Sequence, residues 1–185
     1  MGRKKKEEQI KIETTTPTVV YHGGATIKII KNGRVVKQTK KHNEGGNPLF
    51  RFLADCMAGN FYPNNRPTCI RVGNLDGTTF TDYSLSYVVS STSSVSGTTV
   101  NISFTIPGGL INVASISNDK PLNCLRVYSV SNVNNEGSYS AQIVLSGEQG
   151  TDEAPITSFS TDESLLIVWS MNIDNIAIQS NNQGE

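Results

Sequence analysis

The sequence predicts an all-β protein: an antiparallel β-sandwich, jelly-roll-like, with one short α-helix at about residues 48–58. Three observations predict it. Ser, Thr and Asn make up 55 of 185 residues and Gly another 16, while charged residues are only 17%. Such a neutral, small-residue composition suits strands and turns. From about residue 68 onward, apolar residues recur at every second position, the period of a half-buried strand. Only one segment has the three-and-four spacing of a helix. The length fits a single folding unit, here residues 17–178, between a charged N-terminal arm (1–16) and a polar tail (179–185).

The elements follow in order. Residues 1–16 have no helical face and read as an extended arm. Val19–Tyr21 and Ala25–Lys31 read as strands, and Asn32-Gly33 before Arg34–Thr39 is a strong hairpin signal, because both turn positions need positive φ. A two-residue loop there sets Lys31 opposite Arg34 and Lys28 opposite Lys37, and like charges across a ladder repel. Asn47, Pro48 and Gly59 delimit the helix as N-cap, first-turn proline and C-terminal stop. Its stripe Leu49, Phe52, Leu53, Cys56 and Met57 is predicted to pack in the core. Thr68–Val72 reads as a short strand, and Ser84–Val89 as one with Leu85, Tyr87 and Val89 on a common face. Ser90–Gly97 reads as a mobile connector. Val100–Ile106 alternates cleanly until Pro107-Gly-Gly109 stops it. Leu122–Val130 follows, then Ser138–Ser146 with Tyr139, Ala141, Ile143 and Leu145 inward. Leu165–Trp169 is apolar on both faces and reads as a central strand.

Net charge is zero, but the charge is divided. Residues 1–41 hold 11 of the 16 Lys and Arg and three acids, a net of +8, and the remaining 144 residues carry −8. Such asymmetry points to an interaction arm. The candidate partner-binding residues are Arg3, Lys4, Lys5 and Lys6 on the arm, and Lys28, Lys31, Arg34 and Lys37 on the hairpin. Their expected partner is an acidic protein surface, the acidic body of a neighbouring copy, or phosphate contacted without sequence preference. A solvated tail is the competing reading for residues 1–13, and edge lysines also block aggregation. With Tyr21 as the single aromatic of this portion, sequence-specific nucleic-acid readout is not expected.

Chemistry-bearing motifs are missing. His22 and His42 lie in no spaced metal-ligand set. There is no G-x-S-x-G elbow and no P-loop, and no pair of carboxylates stands out for acid–base work. The expectation is therefore no enzyme, no cofactor and no metal. Asn101-Ile102-Ser103 fits a glycosylation sequon but falls inside a predicted strand. No apolar run reaches a membrane span, and the start is basic without an apolar signal segment. Three Cys without a CxxC pair suit a reducing compartment. Phe61, Tyr62, Tyr83 and Tyr87 could form an exposed, sugar-stacking platform, but with aromatics at only 7% of the chain the reading favoured for them is an ordinary structural one.

The stretch HNEGGNPLFRFLADCMAGN, the following RPTCIRVGN, and the later CLRVYS, SYSAQIVLSGE and ITSFSTDESLLIVWSMNIDN resemble small structural proteins of tailed bacteriophages, especially phages of gut bacteria. The resemblance spans roughly residues 40–175. It implies a virion component of the tail, neck or a head-attached fibre, made in the host cytoplasm and present in several symmetric copies. Its partners would be other virion proteins and copies of itself, with no membrane. The alternative is a receptor- or glycan-binding module at a virion tip.

Overall fold

A computed structural model describes residues 18–19, 22–45, 47–60, 62–97, 99–148, 151, 153–172 and 176–177. The strands in chain order are β1 (Thr18–Val19), β2 (His22–Lys31), β3 (Arg34–Gly45), β4 (Pro67–Asp76), β5 (Thr79–Asp82), β6 (Val88–Val89), β7 (Thr92–Ser96), β8 (Thr99–Pro107), β9 (Cys124–Ser129), β10 (Ala141–Val144), β11 (Glu163–Asn172) and β12 (Ile176–Ala177). Among the described residues one α-helix, α1 (Asn47–Met57), lies between β3 and β4. The fold is an antiparallel β-sandwich.

A single hydrogen-bonded path runs β5-β4-β9-β10-β3-β2-β11-β8-β7. It doubles back into two layers because β3 serves both. Residues 34–43 of β3 pair with β2, while Glu44 and Gly45 pair with Gln142 and Ala141 of β10. The chain makes a second crossing before β7. The Ser90 N–H donates to Thr68 of β4, and the next N–H, of Ser91, donates to Ser103 of β8. The two layers are thus joined at one margin by β3 and at another by the Ser90–Ser91 link between β6 and β7.

The period-two pattern dictates what lies between the layers. Ile27 and Ile29 of β2, Ile102, Phe104 and Ile106 of β8, and Leu165, Ile167 and Trp169 of β11 form one inner face. Ile70 and Val72, Leu125 and Val127, and Ala141 and Ile143 form the other, and all belong to one buried cluster. Each fully buried aliphatic side chain here contributes roughly 1.5–3 kcal/mol over leaving it exposed. β11 pairs with β2 on one side and β8 on the other, so the expected central strand is central, with Trp169 fully buried.

The structure corrects several expectations. α1 buries Leu49 completely and packs Leu53 on the core, but Cys56, almost a full turn further along, is exposed, and the Met57 side chain lies outside what the structure describes. Gly59 takes φ +81, as a helix stop should. Ser90–Gly97 is no loose connector: Thr92–Ser96 is a strand on the margin of β8, where Ser and Thr satisfy a ladder as well as other residues. The segment around Ser84–Val89 forms only a bridge at Ser84 and the two-residue β6, and Leu85, Tyr87 and Val89 all stay exposed. Tyr139 does not join Ala141, Ile143 and Leu145 inside. It packs with Cys69, Tyr128 and Val133 on the outer side of the second layer.

That outer side carries two arginines directly opposite each other, Arg71 on β4 and Arg126 on β9. Arg71 is ion-paired with Asp82 and donates to the Val133 carbonyl. Arg126 donates to Gln142 Oε1 at 2.8 Å and to the Glu136 carbonyl at 3.2 Å. The loop between β9 and β10 is thereby clamped over the sheet.

Candidate interaction surface

The basic hairpin β2–β3 is the candidate site that the described residues contain. Arg3, Lys4, Lys5 and Lys6 lie outside them. Asn32 (φ +50) and Gly33 (φ +73) form the turn, as Asn-Gly predicts, and Lys31 stands opposite Arg34. The second expected pair is wrong. Ile29 pairs with Lys37 but Ile30 pairs with Val35, so Val36 is an extra residue in β3, a β-bulge. The bulge puts Gln38, not Lys37, opposite Lys28.

Because faces alternate along a strand, one inserted residue moves side chains between faces. Lys37 now shares the inward face of Ile29, and its Nζ donates to the Ala154 carbonyl at 3.1 Å. Lys41 shares that face too and is ion-paired with Glu153. The segment 153–157 is therefore tied across the inner margin of β3. Lys31 pairs with Asp162 at 3.4 Å and Glu163 at 3.7 Å. The Asp162 carboxyl is held below its ordinary range, first by a hydrogen bond from Ser160 and then by Lys31.

The four hairpin cations thus divide. Lys31 and Lys37 are spent on the protein's own structure. Lys28 and Arg34 have no ion-pair partner among the described residues. On the outer face Lys28 has Lys40 as its diagonal neighbour, since Thr26 is opposite Lys40 and Lys28 opposite Gln38. At the tip, Val35 and Val36 are 52% and 56% exposed, side by side, next to exposed Arg34. Two adjacent exposed valines beside Arg34, with Lys28 and Lys40 further along the outer face, make a small amphipathic knob. Charge counting marks the lysines; the valines were missed, because in a regular ladder one of the two faces inward.

The aromatic candidates do not assemble into a platform. Tyr83 is buried and donates its hydroxyl to the Lys120 carbonyl, with burial pushing its pKa up. Tyr62 and Tyr87 are exposed, and Phe61 lies outside the described residues. A groove of about 740 Å³ runs between the β4–β5 hairpin and residues 114–123. Several of its polar groups already serve the fold: Asn74 donates to the Pro121 carbonyl, and Asn123 bonds both N–H and C=O of Leu75. Among the described residues no three His, Cys, Asp or Glu side chains gather as a metal site requires.

No protein-family model, no curated protein and no solved structure matches the chain.

Proposed function

We propose that this chain is a structural protein of a bacteriophage virion, in the tail, neck or a head-attached part, whose work is particle assembly through its basic hairpin and arm. The observation that carries the docking role is the hairpin tip. Arg34, Val35 and Val36 stand exposed together, with Lys28 and Lys40 free on the adjoining face. Such a knob fits a shallow apolar site rimmed with carboxylates on another protein. The cations steer the approach, and the valines contribute the buried area. The layered body carries the hairpin through the pairing of β2 with β11 along His22–Lys31. The virion setting rests on the sequence resemblance and on the opposite charges of the two portions, which suit contacts between successive copies.

The direct test is mass spectrometry of purified particles from the phage that encodes the chain. The chain should be present at a fixed ratio to the other structural proteins after density purification. Its loss on purification would refute the virion role.

A further inference from the structure

The β4–β5 hairpin runs past the end of the core. Ile70 and Val72 of β4 face inward and are buried, and by alternation Asn74 and Asp76 share their side of the strand. Thr81 is opposite Asn74, and Thr79 is opposite Asp76. Four polar side chains thus continue, in register, the face that earlier in β4 is apolar core. On that side they meet open space rather than packing: the groove of about 740 Å³, whose far wall is formed by residues between 114 and 121.

That wall is fixed before anything binds. The Lys120 carbonyl accepts from the Tyr83 hydroxyl at 3.1 Å, and the Pro121 carbonyl accepts from the Asn74 amide at 2.9 Å. Asn123 Oδ1 accepts from the Leu75 N–H at 2.7 Å, and its Nδ2 donates to the Leu75 carbonyl at 3.1 Å. The turn between Ser117 and Lys120 closes on itself: the Ser117 N–H donates to the Lys120 carbonyl, and the Lys120 N–H donates to Ser117 Oγ, both at 3.1 Å. A groove held in shape this way has little conformational freedom left to lose on binding.

The chemistry of the free groups decides what fits. The Asp76 and Asp119 carboxylates, the Lys120 ammonium and the Thr79, Thr81 and Ser115 hydroxyls all line the groove. None of these groups has a hydrogen-bond or ion-pair partner among the described residues. Two carboxylates oppose an anionic ligand. The lining aromatic, Tyr83, is 3% exposed, and Leu75, Ala114 and Pro121 offer little apolar area, so a lipid chain or an aromatic ring has nothing to lie on. Interspersed donors and acceptors instead call for a ligand rich in hydroxyls, which donate to carboxylates and accept from an ammonium or a threonine. The volume falls within the roughly 300–1,000 Å³ of small-ligand sites.

We propose that this groove binds a neutral saccharide, with Asp76 and Asp119 accepting hydrogen bonds from its hydroxyls and Lys120 donating to them. The site is independent of the hairpin knob and of the virion setting.

The probe is a printed array of bacterial and host oligosaccharides, read with fluorescent beads coated with the full chain, because many copies on one bead raise weak single contacts to a readable signal. Binding to a subset of neutral saccharides is expected, with competition by the same saccharide free in solution. Asp76→Asn and Asp119→Asn are each expected to lower that binding about tenfold, since each loses a hydrogen bond to a charged acceptor. Both side chains are exposed and unpaired, so urea midpoints should stay at the parent's value. Lys28→Glu combined with Arg34→Glu is expected to leave saccharide binding unchanged. Retention of no saccharide, or retention that survives both aspartate changes together, would overturn the inference. So would retention confined to sulfated or carboxylated saccharides and lost with the hairpin pair, which would assign it to the hairpin's charge. Beads that hold immobilised tetralysine through Asp76 and Asp119 but no saccharide would overturn it too, since the carboxylates would then serve a cationic peptide.

Discussion

Arg126 offers the sharpest test of how the second layer is held. It is 7% exposed, and its hydrogen-bond acceptors are an amide oxygen and a carbonyl, not a carboxylate. Its charge is balanced instead by aromatic faces. The guanidinium carbon lies 4.3 Å from the centre of the Phe80 ring and 4.6 Å from that of Tyr139. Each ring contact contributes about 0.5–2 kcal/mol, and each hydrogen bond from a charged donor about 1.5–3 kcal/mol before desolvation is subtracted. Arg126→Ala removes all of these and leaves a gap between two rings, for an expected loss of about 3–5 kcal/mol. Arg126→Met keeps the volume against the rings and buries no charge. The Glu136 carbonyl still accepts the Tyr128 hydroxyl at 3.2 Å, and half-buried Gln142 can turn to water. The methionine variant is therefore expected to lose only about 1–2 kcal/mol. Urea unfolding of the full chain measures both as midpoint shifts at constant slope. An alanine variant within about 1 kcal/mol of the parent, or a methionine variant as damaging as alanine, would refute the ring-balanced cation.

Three further outcomes are expected. Thr39 is buried opposite Ile27, and its hydroxyl has no hydrogen-bond partner among the described residues, so Thr39→Val is expected to raise stability by about 1 kcal/mol in the same urea assay. Two glycines are expected to differ in why they resist alanine. Gly33 has φ +73 and open space, so Gly33→Ala costs about 1 kcal/mol of backbone strain. A Cβ on Gly108 would overlap the carbonyl oxygens of Ser160 and Glu163, so Gly108→Ala costs about 2–3 kcal/mol and lowers the melting temperature further. Stability is also expected to fall in alkali. Burial pushes the Cys124 thiol from its ordinary 9.0 up to about 11, with Arg126 pulling the other way, and Cys69, Tyr83 and Tyr128 are raised by burial too. Between those two values the unfolded chain has released the Cys124 proton and the folded chain keeps it, so stability present below pH 9.0 is lost as pH rises toward 11. The loss is about 1.4 kcal/mol per pH unit for such a thiol. Urea midpoints should fall across this window, and Cys124→Ala should flatten part of the fall. A flat profile would contradict the burial of these groups.

The sequence made the sandwich legible because alternation is a local signal. Val100–Ile106 and Leu165–Trp169 state their own faces, and Asn32-Gly33 states its own turn. What could not be read depends on distant neighbours. The bulge at Val36 leaves no local mark, since one inserted residue in a basic strand looks like the rest of it. It nonetheless sends Lys37 inward and leaves Lys28 outside. Thr92–Ser96 resembles a linker in composition and becomes a strand because β8 offers it a free margin. Leu85, Tyr87 and Val89 alternate as a buried strand would, but no second layer covers them. Arg126 sits mid-strand, where the Phe80 and Tyr139 rings and the acceptors on Gln142 and Glu136, all brought from elsewhere in the chain, make burial tolerable. At the hairpin, counting charge located the cations, and only the register separated the two that hold the fold from the two left free.

The proposed docking role rests most heavily on that hairpin. For the proposed virion role, the decisive measurement is the amount of chain incorporated into particles of the phage that encodes it when Lys28→Glu and Arg34→Glu are combined, with urea unfolding as the control for folding. Lys31 and Lys37 carry the internal contacts, so the variant is expected to keep the parent's stability and to be absent, or nearly absent, from particles. Incorporation at the parent's level by an equally stable variant would contradict docking through the hairpin.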